Sequence, residues 1–100
     1  MNKFVVTLDV GTVEQRNAVT AHFKSKGWQL WHWMEDVWLL AQVPPEITSQ
    51  MITDELTANP IIATKRRLVL LIPGNSALSF WGYSVPDSWK WMKEFWGIPK

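Results

Sequence analysis

Residues 28–34, WQLWHWM, then Glu35-Asp36, then residues 37–43, VWLLAQV, read as two strands joined by a tight polar turn, and this hairpin decides the fold. Aromatic and β-branched side chains dominate both arms, as a pleated, half-buried surface favours. Side chains alternate across a strand. Trp31 and Trp33 therefore share one face, and His32 points the other way with Leu30 and Met34. Trp38 lies on the neighbouring arm, within reach of a shared aromatic surface.

Working outward, residues 3–10, KFVVTLDV, form a first strand ending at Gly11. Thr12 and Gln15 have capping-box spacing, and Val13, Val19, Phe23 and Lys26 recur at helical intervals. Gly27 suits the stop, which places a helix over 13–26. After the hairpin, Pro45 suits a first helical position, and Ile47, Met51, Ile52 and Leu56 line one face of a second helix over 45–57. Asn59-Pro60 ends it. Residues 66–72, RRLVLLI, form a fourth strand closed by Pro73-Gly74.

The order βαββαβ predicts an α+β protein, a ferredoxin-like sandwich with both helices on one face of an antiparallel sheet. Residues 1–76 make this core, and 77–100 extend it within a single domain. In the extension, 78–84 reads as a fifth short strand, and Pro86-Asp87-Ser88 starts a helix that ends at Gly97. The fourth strand is apolar on both sides, with Leu68, Leu70 and Ile72 on one and Val69 and Leu71 on the other. A half-solvated strand alternates instead. The second face of the sheet therefore needs a cover: the C-terminal segment or another subunit.

Eight of the 100 residues are tryptophan. Each buries roughly 150–250 Å² and carries an N–H that needs a partner when enclosed. A domain this small has one modest core. The expectation is that some rings lie in a subunit interface or a stacking site. Ten Lys plus Arg against nine Asp plus Glu leave no global field to attract a polyanion. The absence of cysteine rules out disulfides, thiolate metal sites and Cys nucleophiles, and fits a reducing cytoplasm. The apolar run at 68–73 is far too short to span a membrane, so no membrane partner is expected.

Three blocks carry a family likeness: FVVTLDV with Asp9, LWHWMEDVWLL, and FWGYSVPDSWKWM. In these the chain resembles the SinR family of small proteins, relatives of the CRISPR-associated ferredoxin-like proteins that act as dimeric adaptors or endonucleases in phage defence. The resemblance implies a symmetric homodimer whose C-terminal strands add to the partner's sheet. It also implies that the two Asp9 carboxylates face each other near the two-fold axis, where active relatives hold a divalent metal.

Two roles are open to Asp9. A carboxylate pair across the axis would bind Mg²⁺ and activate water for phosphodiester attack; alternatively, Asp9 only ends the strand or caps local N–H groups. Trp31, Trp33 and Trp38 offer a surface on which bases stack, at about 1–3 kcal/mol each, or else they pack internally. Lys65, Arg66 and Arg67 form the only basic run, suited to forking phosphate oxygens or to a solvated loop. Arg16, Lys24 and Lys26 would extend it if the fold brings them near. His22 and His32 have no metal-ligand spacing. The expected function is a homodimeric nucleic-acid- or nucleotide-binding protein, with Mg²⁺-dependent cleavage as an open addition. The alternatives are a sponge that encloses a small nucleotide signal without cleaving it, and a structural module.

Overall fold

Along the chain run β1 (Asn2–Leu8), α1 (Val13–Ser25), β2 (Gln29–Met34), β3 (Val37–Val43), α2 (Ser49–Ala58), β4 (Arg67–Ile72) and α3 (Pro86–Phe95). They come from a computed structural model that describes residues 1–64, 66–74, 82 and 85–96. The strands form one antiparallel sheet in the order β2-β3-β1-β4. With three helices among the described residues, the protein is α+β and compatible with a ferredoxin-like arrangement. The expected strand at 78–84 lies outside the described residues apart from Gly82, as does the boundary at 76–77.

Local chemistry sets the helix limits. The Thr12 hydroxyl accepts from Gln15 N–H at 3.1 Å, and Gln15 Oε1 accepts from Gly11 N–H at 2.9 Å, so cap and helix satisfy each other's orphan donors. Gly27, at φ +76°, takes the left-handed turn that ends α1. The second helix starts later than its prolines suggest. Pro44 C=O closes a turn onto Ile47 N–H, and only then does the Thr48 hydroxyl cap α2 by accepting from Met51 N–H at 3.1 Å. A side-chain cap outweighs the mere tolerance of Pro at a first turn. Val13, expected on the apolar face of the first helix, is exposed, as is Met51.

One layer of core lies between the sheet and the first two helices. Phe4, Val6 and Leu8 of β1 and Trp38 and Leu40 of β3 meet Val19 and Phe23 of α1 and Ile52 and Leu56 of α2. A second layer fills the opposite face, where Trp91, Met92 and Trp96 from α3 and its end cover Leu39 and Ala41, with Trp31 and Trp33 packed beside them. Pro86 opens α3 at a position where its missing N–H costs nothing.

The C-terminal helix is thus a cover for the second face. Among the described indoles, Trp38, Trp91 and Trp96 are buried, and Trp28, Trp31, Trp33 and Trp89 are half-buried. None of the seven described rings is exposed. The Trp96 N–H, however, is buried with no hydrogen-bond partner. The β4 side is less well covered. Leu68 and Leu70 are 56% and 48% exposed on β4, an edge strand among the described residues.

A charged cluster ties α1 to α2. Glu55 accepts from Lys26 Nζ and lies 3.2 Å from His22 Nε2. Burial pushes the Glu55 carboxyl up, but the Lys26 hydrogen bond and charge, with His22 behind them, outweigh it and hold the carboxyl below its ordinary value of 4.5. A carboxyl that is more acidic when folded stabilises above the unfolded value and loses that contribution as pH falls through the folded one. Glu55→Gln should therefore lower stability near pH 7 by no more than the about 1 kcal/mol of exposed pairs. Urea titrations repeated at about pH 3 should show the gap between the two proteins closing.

Candidate functional site

Where β1 finishes and β3 and β4 begin, the sheet opens into a shallow groove of about 420 Å³. Its walls are Thr7, Leu8 and Asp9 from the end of β1, Asp36 and Val37 from the hairpin, and Arg66, Arg67 and Leu68 from the start of β4. The antiparallel register explains this gathering, because Thr7 stands opposite both Val37 and Leu68. Those three side chains share the face away from α1 and α2. The Thr7 hydroxyl donates to Leu68 C=O at 3.0 Å, fixing the β1–β4 side of the floor.

At the mouth, Arg66 folds over Asp9. Its Nε and Nη2 both reach Asp9 Oδ2, at 2.8 and 2.6 Å. The backbone beneath is held separately: Asp9 N–H donates to Arg66 C=O at 2.9 Å, and the Thr64 hydroxyl lies 2.8 Å from Asp9 C=O and 2.9 Å from Arg66 C=O. Arg67 donates from Nη1 to Thr64 C=O at 3.0 Å. On the opposite wall, Asp36 is 3.4 Å from Arg16 Nε, and Glu35 is 3.5 Å from Arg16 Nη2. The groove thus carries two carboxylates and two guanidinium groups of its own, with an apolar floor between them.

Three of the residues singled out from sequence meet here: Asp9, Arg66 and Arg67. Lys65 lies outside the described residues. The tryptophans do not join them. Trp31 is held under α3, its N–H donating to Ser88 Oγ at 2.8 Å and its ring 6.3 Å from that of Trp91. Trp33 packs in the same layer, and a Cβ built on Gly82 would sit 3.7 Å from its ring.

Trp38 corrects the expected shared surface, because it faces the opposite way. A regular hairpin closed by Glu35-Asp36 would set Trp38 against Trp33. Instead a bulge between His32 and Met34 slips the register by one, so Trp38 stands opposite His32. The ring is buried in the helix-side core, donates to Thr20 Oγ1 at 3.1 Å and stacks on His32 with centroids 4.4 Å apart.

Two contributors escaped the sequence reading. Asp36 was legible only as a turn residue, and Arg16 only as an extension of the basic run. The signal that joins them is the hairpin turn folding back on α1, which spacing along the chain does not encode. Lys26 is committed to Glu55 and Trp28 instead. His32 Nε2 lies 2.8 Å from Glu35 C=O and helps close the turn.

Asp9 is a poor seat for a divalent cation within one chain. A guanidinium already meets its oxygen, and among the described residues no group of three or more His, Asp or Glu side chains gathers. Mg²⁺ is held through carboxylates with several retained waters, and an adjacent positive charge opposes it. Comparison with family models, with curated proteins and with solved structures finds no match to this chain. Among the described residues no helix is long and apolar enough to cross a membrane.

Proposed function

We propose that this protein is a ferredoxin-like homodimer that binds a phosphorylated ligand of nucleotide size in the groove at the end of β1, β3 and β4. The observation that carries the reading is the placement of Arg66 and Arg67 beside the apolar side chains of Val37 and Leu68. Arginine presents a rigid fork that matches two phosphate oxygens, and the floor offers a flat ring a place out of water. A volume of about 420 Å³ suits one nucleotide better than a strand of nucleic acid, whose affinity rests on many phosphate contacts. The near-balance of charge over the chain agrees with a compact ligand.

Binding without cleavage is favoured, because Asp9 faces a guanidinium and, among the described residues, no group of three or more His, Asp or Glu side chains gathers. The support for a second copy is β4, an edge strand among the described residues, with its exposed Leu68 and Leu70. Natural sheets cover such an edge or blunt it with charge.

Native mass spectrometry with adenosine 5′-monophosphate reads both parts of the proposal together. The wild-type protein should appear as a dimer retaining the nucleotide at unchanged mass. Arg66→Ala should remain dimeric and bind roughly ten- to a hundredfold more weakly, the loss of one charged hydrogen-bonding partner. A wild-type protein that takes up no nucleotide, or an Arg66→Ala variant that binds equally well, contradicts the binding reading. A monomer contradicts the dimer.

A further inference from the structure

The edge of Arg66 that would receive a phosphate is already occupied by a carboxylate of the same chain. Both Nε and Nη2 point to Asp9 Oδ2, and that pair of nitrogens is the fork an oxyanion uses. The side chains are exposed, Arg66 at 83% and Asp9 at 53%. Exposed pairs of this kind hold weakly and are screened by salt. The strand ends beneath do not depend on the pair, because the Asp9 N–H bond to Arg66 C=O and the Thr64 hydroxyl hold the backbone independently. The side chains can separate while β1 and β4 stay in register.

We infer that Asp9 is a built-in competitor for the anion seat: it occupies Arg66 in the free protein and is displaced when a phosphate monoester binds. This rests on the phosphate-binding reading of the groove. Asp9 then sets how tightly and how selectively the groove holds its ligand, and takes no part in chemistry. A singly charged carboxylate would exchange poorly with Asp9, whereas a doubly charged terminal phosphate offers more charge and two oxygens to the same fork. The class of ligand is therefore a terminal phosphate, as on a mononucleotide, in preference to an internal phosphodiester.

The role predicts an unusual sign: removing a residue of the site should tighten binding. Calorimetric titration with adenosine 5′-monophosphate at low salt should show Asp9→Asn binding about three- to tenfold more tightly than wild type, the scale of one exposed ion pair plus one removed like charge. The gain should shrink as salt is raised and should vanish in an Arg66→Gln background. Asp9→Ala should behave as Asp9→Asn does, which guards against a local effect of the amide. Thermal melts check that both variants are folded.

If wild type binds and Asp9→Asn binds equally or more weakly, the competitor role is overturned while the phosphate-binding groove stands. A loss of binding in Asp9→Asn that appears only with added Mg²⁺ overturns it too, in favour of metal ligation. No binding by wild type or by either Asp9 variant removes both this role and the groove reading beneath it.

Discussion

Replacing Trp38 with alanine should cost about 3–5 kcal/mol, the usual range for deleting a fully enclosed aromatic ring. Domains of this size are stable by about 5–15 kcal/mol, so the variant should keep only a fraction of that margin. Trp38 is completely buried at the centre of the helix-side layer, and its N–H satisfies the Thr20 hydroxyl of α1. Alanine leaves a cavity, an unsatisfied Thr20 and an uncovered His32 ring together. Trp38→Phe should retain more of the stability, because it keeps a ring for His32 to stack on. Denaturant titration gives the difference directly, and a loss below about 1 kcal/mol would contradict the placement of Trp38 in the core.

Trp91→Ala should have a comparable local cost, about 3–5 kcal/mol by the same rule, but a different character. Its ring lies between Trp31 and Phe95, with centroids 6.3 and 5.5 Å away, and anchors α3 to the second face. The helix-side core does not include α3. Losing Trp91 should therefore release the helix without melting the sheet. Hydrogen exchange separates the two cases: α3 amides should exchange fast in Trp91→Ala while β1 and β3 remain protected. In Trp38→Ala, protection should fall across all elements. Uniform loss in both would mean the layers are one cooperative unit.

The two variants also mark where sequence reasoning succeeded and where it stopped. Strand and helix order was legible because each element announces itself locally: β-branched runs, the Thr12 and Gln15 cap, and Gly27 at positive φ. The start of α2 was misread because Pro45 merely permits a first turn, while Thr48 three residues later supplies the hydrogen bond that fixes one. The face of Trp38 was not legible. A bulge between His32 and Met34 reverses it, and nothing in WHWMEDVW declares the extra residue.

The candidate site divides in the same way. Asp9, Arg66 and Arg67 were visible as residues of suitable chemistry, but their partnership was not, since 57 residues separate Asp9 from Arg66. Register between β1 and β4 brings them together. The covering of Trp31 by α3 likewise depends on a helix folding back over the sheet. Long-range pairing, rather than composition, decided which aromatic rings serve packing and which polar groups gather at the groove.

The central claim is that this chain binds a phosphate monoester at the open end of β1, β3 and β4. Mapping backbone amide shifts by NMR during titration with adenosine 5′-monophosphate tests it most directly. The predicted result is saturable shifts gathered at residues 7–9, 36–37 and 66–68. Shifts gathered instead around Trp31 and Trp91, or none at all as the nucleotide is raised, would contradict it.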